Sequence, residues 1–291
     1  MKPPPFEYDA PRTAEETTAL LAEHGDEAKI LAGGQSLVPL LNFRLARPER
    51  LIDINNVAEL EYLRLEDESL RIGALVRHSG LERSEQVARA VPLLHEAVRL
   101  VGHVQIRNRG TVGGSAAHAD PAAELPVAFT ALDAVFLVRS SRGERTLGAS
   151  EFFVTHLTTA LEPDELLVEI SLPVPPAHTG SAFVEFARRH GDFALGGAAA
   201  LVTLNEEGTC AAASIALLAA APTPLRAAAA EAMLRGRAVD DRSAREAAAL
   251  AVADIEPTGD IHGSAGYRRD LIEALVRRAL LTAASRAKEC T

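Results

Sequence analysis

The first 55 residues of the chain alternate between helical and strand patterns of apolar positions. Thr13 followed by Glu16 has the spacing of a capping box and predicts the start of a helix. Apolar runs at 28–32 and 50–54 predict two buried strands, and helical spacing from Leu37 predicts a second helix between them. A strand, a helix and a strand in such a short stretch indicate one βαβ-like unit.

The middle of the chain mixes short strands with helices. Its predicted elements are a hairpin over 62–73, a helix over 80–89, a helix from Pro92, and strands over 134–138 and 166–170. The stretch 105–115 between them is rich in glycine and polar residues, and it is predicted to be a long loop.

A proline-rich stretch at 173–180 is the best candidate for a linker between two domains. The pattern beyond it predicts a strand through Phe183 and Phe186, a hairpin joining 198–204 to 211–218, and helices near 225–235, 242–254 and 269–287. Strands followed by helices indicate the α+β class. The predicted domains are therefore residues 1–174 and residues 180–291.

Composition narrows the function classes. The 291 residues are 47% hydrophobic and 24% charged, as expected for a folded globular protein. A net charge of −10 argues against sequence-independent nucleic-acid binding, which needs a basic surface. Cys210 and Cys290 are too few for a disulfide framework or a thiolate metal site. No apolar run reaches 18 residues and the N-terminus lacks an apolar signal stretch, so no integral membrane segment and a cytoplasmic location are expected.

Two glycine pairs are the strongest chemical signals in the chain. Gly33-Gly34 lies between a predicted strand and a predicted helix, and Gly113-Gly114 lies in the predicted loop. Glycine lets backbone N–H groups approach an anion closely, so two such segments that meet in space would suit a pyrophosphate. Either pair taken alone is more typical of a tight turn than of an anion site.

Standard nucleotide and metal motifs do not account for these glycines. No P-loop or Gly-x-Gly-x-x-Gly sequence is present. Asp53 lies where a Rossmann fingerprint places its acid, but the glycines do not match, so Asp53 is interpreted as a strand-end turn residue. His118, Asp120 and Glu124 are close in sequence, but their spacing matches no standard metal ligand set.

The order and spacing of several short motifs resemble one protein family. Residues 32–36 and 106–115 resemble the two FAD loops of the medium subunit of molybdenum hydroxylases, a family that includes carbon monoxide dehydrogenase and xanthine dehydrogenase. Residues 51–54, 120–126 and 164–167 also look like that family. The resemblance covers essentially the whole chain.

The resemblance implies a PCMH-type FAD-binding domain over residues 1–174, with subdomains of about 1–56 and 57–174, and a smaller α+β domain after it. By the same resemblance, residues 32–36 and 111–115 wrap the FAD pyrophosphate, Glu124 contacts flavin-side hydroxyls, Leu167 makes a backbone contact to the isoalloxazine, and Phe193 lies beside the ring. The implied FAD-contacting residues are Ala32, Gly33, Gly34, Gln35, Ser36, Leu37, Val101, Thr111, Gly113, Gly114, Ser115, Asp120, Glu124, Leu167, Asp192 and Phe193.

The chain departs from the family pattern at two positions. Gln35 replaces the histidine often found in the first loop, which leaves a polar side chain there. Glu185 stands near where several relatives place a lysine close to the flavin carbonyls. A glutamate there would not favour a negatively charged reduced flavin.

The resemblance implies an oxidoreductase subunit that carries FAD and relays electrons from two-iron clusters to an external acceptor. Its implied partners are a large subunit with the molybdenum cofactor and a small iron–sulfur subunit, in a heterohexamer built as a dimer of heterotrimers. Two cysteines cannot supply the four thiolates of a cluster, which agrees with a need for a partner chain. The alternatives are a stand-alone flavin oxidoreductase and a flavin-free binding or assembly protein of the same fold.

Overall fold

The computed structural model describes residues 2–289, and its N-terminal part is a small parallel unit. Its elements are β1 (Glu7–Asp9), α1 (Ala14–His24), β2 (Ala28–Leu31), α2 (Leu37–Asn42) and β3 (Arg50–Asp53). The three strands form a parallel sheet in the order β1-β3-β2, so the predicted βαβ connection over β2, α2 and β3 is confirmed.

Only half of the predicted capping box forms at the start of α1. The Thr13 hydroxyl accepts a hydrogen bond from the Glu16 amide at 3.0 Å, as predicted. The Glu16 carboxylate accepts instead from the Arg12 amide at 2.7 Å. The helix start is thus correct, while the reciprocal bond goes to the residue before the cap.

The middle part is built around a five-stranded antiparallel sheet in the order β4-β5-β10-β6-β7. Its elements are β4 (Leu63–Glu66), β5 (Ser69–Gly73), α3 (His78–Arg83), α4 (Glu85–Ala90), α5 (Pro92–Leu100), α6 (Val104–Arg109), α7 (Val112–His118), α8 (Glu124–Ala131), β6 (Val135–Ser140), β7 (Gly143–Gly148), α9 (Ala149–Phe152), β8 (Phe153–Thr155), β9 (Thr158–Thr159) and β10 (Leu166–Pro173).

Two predictions for this part were wrong. The stretch 105–115 is not a long loop, because α6 and α7 occupy it and only Gly110 and Thr111 separate them. Thr111 caps α7 by accepting a hydrogen bond from the Gly114 amide, which helps two glycines to start a helix. The single helix expected over 80–89 is broken at Ser84, whose hydroxyl accepts from the Val87 amide and begins α4.

The C-terminal part is a four-stranded antiparallel sheet covered by helices, in agreement with the prediction. Its elements are β11 (Thr179–Phe186), β12 (Gly196–Leu204), β13 (Cys210–Leu218), β14 (Leu225–Arg226), α10 (Ala228–Leu234), α11 (Asp241–Ala251) and α12 (Ala265–Glu289). The α+β class is confirmed. Residues 174–178 connect β10 to β11 without regular secondary structure, and the domain bounds of 1–174 and 180–291 stay predictions.

The central strand β12 is buried on both faces, which joins the two parts of the molecule. Ala199 and Leu201 pack into a core shared with the middle part, whereas Ala198, Ala200 and Val202 pack into the core under α10, α11 and α12. Alternate side chains of a strand point to opposite faces, so β12 serves both cores at once.

Hydrogen bonds reinforce this junction. The Ser214 hydroxyl donates to the Ala131 carbonyl at 2.5 Å, and the Glu96 carboxylate accepts from the Phe183 amide at 2.9 Å.

Two further expectations concern cysteines and membranes. Cys210 is buried and has no disulfide bond, and burial raises the pKa of its thiol; Cys290 lies outside the described residues. Across residues 2–289, no helix is both long enough and apolar enough to cross a bilayer.

Candidate functional site

A deep cleft of about 750 Å³ lies where the N-terminal unit, the middle part and one turn of the C-terminal part meet. All sixteen residues that the family resemblance implied for FAD contact lie on its wall, from Ala32 in the first part to Phe193 in the last. The volume is that of a site for a small molecule or cofactor. Tertiary structure therefore brings together segments that are far apart in the sequence.

The first glycine loop, residues 32–37, offers unused hydrogen-bond donors to the cleft. Gly34 has a φ of +72°, and the Gly34 carbonyl accepts from the Val38 amide at 3.0 Å, while the Gln35 side chain donates to the Gly33 carbonyl at 3.0 Å. Within residues 2–289, nothing accepts a hydrogen bond from the backbone amides of residues 33–36. Such a run of amides around a left-handed residue forms a concave site for an anion.

The first glycine loop touches the chain at the end of α6. A Cβ built on Gly33 would lie 2.5 Å from the Arg109 carbonyl oxygen and 2.8 Å from the Gly110 Cα. Arg77 secures the same junction, since its guanidinium donates to the Arg109 carbonyl and, at 2.6 Å, to the Asn55 side-chain oxygen. The two glycine segments do meet in space.

The second glycine segment, residues 110–115, contributes hydroxyl groups rather than amides. The Gly113 amide donates to the Ala74 carbonyl at 2.9 Å, and the Gly114 amide donates to the Thr111 hydroxyl at 3.1 Å. Both amides therefore already have an acceptor within the chain. The Thr111 and Ser115 hydroxyls both lie on the cleft wall and can still donate.

His78 contacts the second glycine segment through its ring, and the sequence analysis did not identify this residue. Its Nε2 lies 3.0 Å from the Thr111 carbonyl and 2.9 Å from the Ser115 hydroxyl, while its Nδ1 is buried without a partner among residues 2–289. Burial lowers the pKa of His78 to about 4, so the ring is neutral at physiological pH. A tautomer with the proton on Nε2 lets it donate to the Thr111 carbonyl. A solitary histidine at the start of α3 gave no signal of this role.

The acidic segment after α7 also borders the cleft. Asp120 accepts a hydrogen bond from the Ala122 amide at 2.8 Å, the turn geometry of a loop residue. Glu124 begins α8 and is only 8% exposed, and burial raises the pKa of its carboxyl to about 7. His118 lines the same wall, and burial lowers its pKa. Within residues 2–289, no group of three or more His, Cys, Asp or Glu side chains is arranged to hold a metal ion.

The C-terminal part supplies one rim of the cleft through Gly191, Asp192 and Phe193. Gly191 has a φ of +85° and lies directly against the His103 ring, where a Cβ would not fit. Phe193 is 71% exposed, so its ring is free to contact a molecule in the cleft.

Leu167 and Val101 complete the set of expected residues. Leu167 precedes a bulge in the pairing of β10 with β6, and both residues lie on the cleft wall. The wall also includes residues that the sequence did not single out, among them Lys29, Thr158, Leu161 and Glu165. None of these residues belongs to a recognisable sequence motif, so only the folded structure shows that they line the cleft.

The residues present fit FAD. A dinucleotide needs donors for its pyrophosphate, hydroxyl partners for its ribityl and ribose groups, and an apolar wall for its ring. The free amides of residues 33–36 and the hydroxyls of Thr111 and Ser115 would serve the pyrophosphate. Asp120 and Glu124 would serve the hydroxyl groups, and Leu167 and Phe193 would form the apolar wall.

Comparisons with known proteins identify the family of the chain. Residues 4–175 match the FAD binding domain in molybdopterin dehydrogenase, and residues 181–283 match the CO dehydrogenase flavoprotein C-terminal domain. The chain is 47% identical to the 6-hydroxypseudooxynicotine dehydrogenase complex subunit alpha of Paenarthrobacter nicotinovorans, over 99% of this chain and 97% of that protein. It is 40% identical to the carbon monoxide dehydrogenase medium chain of Hydrogenophaga pseudoflava, over 98% of this chain and 99% of that one.

One solved structure of a related enzyme contains a chain with nearly the same fold. Carbon monoxide dehydrogenase from Hydrogenophaga pseudoflava, in a form that lacks the Mo-pyranopterin moiety of the molybdenum cofactor, contains a chain that matches with a TM-score of 0.96 at 42% identity, over 98% of this chain and 99% of that chain. The match extends through both parts of the molecule. Fold, cleft and relatives lead to one conclusion: the chain belongs to the family of FAD-binding medium subunits of molybdenum hydroxylase complexes, and it is an oxidoreductase subunit whose cofactor is FAD.

Proposed function

We propose that the chain relays electrons through its FAD, from two-iron clusters of a partner subunit to an external acceptor. The observation that carries the proposal is the meeting, in one cleft, of the free amides of residues 33–36 with the hydroxyls of Thr111 and Ser115. FAD accepts electrons and passes them on when it is held in such a site.

Each segment of the cleft has a distinct task in this proposal. The first glycine loop binds the pyrophosphate through its amides, and the Thr111 and Ser115 hydroxyls donate to the same group. Glu124 accepts from hydroxyls on the flavin side of the cofactor. Leu167 and Phe193 contact the ring, and Phe193 limits the access of water to it.

The proposed partners follow from the iron–sulfur cluster ligands that this chain lacks. Four thiolates are the usual ligands of an iron–sulfur cluster, whereas this chain has two cysteines and Cys210 is buried in β13. We therefore place the clusters in a small iron–sulfur subunit and the substrate chemistry in a large subunit with the molybdenum cofactor. The proposed assembly is a heterohexamer, a dimer of heterotrimers, in the cytoplasm.

The test is anaerobic mixing of the FAD-loaded chain with a hydroxylase substrate, with flavin bleaching as the signal. Candidate substrates are the aromatic heterocycles and carbon monoxide that enzymes with similar subunits are named for. We expect the lone chain to stay oxidised and to bleach only after both partner subunits are added. Dithionite, which reduces flavins directly, is the control that the bound flavin is able to accept electrons.

Two outcomes would contradict the proposal. Rapid bleaching of the lone chain by a substrate would identify a stand-alone flavin oxidoreductase. A purified chain that neither contains FAD nor takes it up would indicate a binding or assembly protein of the same fold.

A further inference from the structure

A second hollow, of about 400 Å³, borders the first glycine loop beside the FAD cleft. Residues 32–35 and Ile106 belong to the walls of both. Val38 and Pro39 of α2 add apolar surface to the second hollow, and Arg109 at the end of α6 adds a cation. The proposed binding of FAD makes no use of this hollow, although the two sites share a loop.

Hydrogen bonds within the chain fix the shape of this hollow. The Asn55 side chain donates to the first glycine loop, at the Ala32 carbonyl, at 2.9 Å. The Asp53 carboxylate accepts from the Tyr8 hydroxyl at 2.6 Å and from the Asn55 amide at 2.9 Å. Arg109 shares the hollow with Asp53, yet the two form no ion pair. Asp53 therefore has its own partners, and the Arg109 charge is left without one.

The turn after α2 extends the surface beside the hollow. The Leu45 and Ala46 amides donate to the Leu40 carbonyl at 2.9 and 3.3 Å, so the turn folds back against the end of the helix. Leu45 is 76% exposed, and Val38 is exposed as well. Exposed apolar side chains grouped on one short helix and its turn are typical of a surface that binds another protein.

The arginines of this surface have no acidic partner among residues 2–289. The Arg109 guanidinium is exposed and makes neither a hydrogen bond nor an ion pair, and Arg44 and Arg47 donate only to backbone carbonyls. Other arginines of the chain pair with acids, as Arg107 does with Glu82 at 2.8 Å. Arginine beside exposed apolar groups is characteristic of protein interfaces. We call this surface the docking face; its residues are Val38, Pro39, Arg44, Leu45, Arg47 and Arg109.

Helix α6 connects the docking face to the rim of the FAD cleft. His103, directly before α6, lies against Gly191 in the turn that carries Phe193, and Arg109 is the last residue of the helix. Six residues at 1.5 Å per residue span about 9 Å. A protein bound to the docking face would therefore lie one short helix away from the rim at which the proposed function places the flavin ring.

We propose that the docking face binds the iron–sulfur subunit, through an apolar projection that enters the hollow and carboxylates that pair with Arg44, Arg47 and Arg109. This inference rests on the proposed function, because that function makes the iron–sulfur subunit the electron donor. The unpaired arginines fit an acidic partner surface, since interfaces bring opposite charges together.

The position of the docking face favours this subunit over the other two possible occupants. Electron transfer slows steeply as distance grows, so the donor of electrons must bind close to the flavin. In the proposed relay the clusters stand between the molybdenum site and the flavin, so the large subunit has no such need. A second copy of this chain carries no clusters, and it would repeat the same unpaired arginines if the two docking faces met.

The test is a biosensor measurement in which the full chain is immobilised and exposed to the iron–sulfur subunit of its complex, to the large subunit, and to both together. Arg109→Glu should weaken binding of the iron–sulfur subunit by about tenfold or more. Arg278→Glu makes the same charge change at an exposed and unpaired arginine of α12, and it should bind as the parent does. Binding by the parent should weaken as salt is added, and binding by Arg109→Glu should depend less on salt.

A second pair of variants tests the apolar part of the docking face. Leu45→Ser should weaken binding of the iron–sulfur subunit by about threefold or more. Ile261→Ser removes an equally apolar side chain that is 94% exposed in the C-terminal part, and it should leave binding unchanged. Urea unfolding of all four variants checks that each is folded, and exposed side chains of this kind contribute little to stability.

Binding and flavin bleaching separate this inference from the proposed function. Equal affinity of Arg109→Glu and Arg278→Glu for the iron–sulfur subunit would overturn the docking face, whatever the flavin does. A loss of binding confined to the large subunit, or to self-association of the chain, would overturn the assigned occupant. A parent complex that depends on Arg109 but keeps its flavin oxidised in the presence of substrate would refute the relay and leave the docking face in place.

Discussion

Gly33 lies so close to the Arg109 carbonyl oxygen that a Cβ would be 2.5 Å from it. Real Cβ atoms do not approach a backbone oxygen so closely, so the two glycine segments can touch only because residue 33 has no side chain. The absence of a side chain at residue 33 thus allows this close contact beside the free amides.

Gly33→Ala should therefore push the two segments apart. We expect a loss of stability of about 1–3 kcal/mol, as for other overpacked sites, and FAD binding weakened by about tenfold or more. Denaturant unfolding of the FAD-free chain and fluorescence titration with FAD measure the two effects separately.

Gly266→Ala in α12 is the matched control for that experiment. An added Cβ at Gly266 meets nothing within 4 Å, and alanine favours a helix more than glycine does. This variant should be as stable as the parent or more stable, with unchanged FAD affinity. If Gly33→Ala behaves in the same way, the close contact with Arg109 does not shape the site.

Thr111 is expected to tolerate serine but not valine. Its hydroxyl caps α7 through the Gly114 amide, and the loss of such a cap costs about 1–2 kcal/mol. Thr111→Val should lose that stability together with a donor for FAD, while Thr111→Ser keeps the hydroxyl and should stay close to the parent. Thermal unfolding with and without FAD compares the three proteins, and equal melting of all three would contradict the cap.

Phe193→Ala should act on the cofactor and not on the fold. The ring is 71% exposed, so its removal should change the free energy of unfolding by less than about 0.5 kcal/mol. Contact with the flavin ring predicts a shifted visible spectrum or reduction potential. Phe43→Ala, which removes a similarly exposed ring away from the cleft wall, is the control. A spectrum and a potential that match those of the parent would place Phe193 outside the site.

His78 should make the folded chain sensitive to acid. Its pKa is about 4 in the folded protein and near 6.5 when unfolded, so the unfolded chain binds more protons between these values. Stability from this group is complete above about pH 6.5 and is lost as the pH falls towards 4, by up to about 3 kcal/mol. His78→Gln should lack this contribution.

The comparison of parent and His78→Gln isolates this effect from the acidic groups. Glu124 and Glu185 act in the opposite direction, since their raised pKa values make stability fall as the pH rises from about 4.5 to 8. Urea unfolding at several pH values gives the difference between the two proteins. A difference that does not change between pH 4 and 7 would show that folding does not lower the pKa of His78.

Local patterns were sufficient wherever neighbouring residues decide the structure. The strands β2 and β3, the hairpin over β4 and β5, and the three C-terminal helices were predicted close to their observed positions, whereas β1 was missed. In β5 and α11 the apolar period of the segment matches the face that it buries. The two glycine pairs also indicated where the cleft lies. Glycine permits backbone conformations and close approaches that a side chain would prevent.

The stretch 105–115 shows where local patterns fail. Glycine and polar residues are typical of a loop, yet the Thr111 cap and the packing of Gly113 against Ala74 make the second half of it helical. A Cβ on Gly113 would lie 2.6 Å from the Ala74 Cβ, so here glycine serves close packing between segments. Contacts with residues distant in sequence outweighed the local propensity.

The sequence by itself determined the secondary structure of most segments and, through short motifs at characteristic spacing, the family. Only the tertiary structure decided the ionisation state of the site. His78, Glu124 and Glu185 are ordinary titratable residues in the sequence, and their shifted pKa values arise from burial and from the groups that packing places beside them. Burial depends on every element that covers a residue, so no short stretch of sequence encodes it.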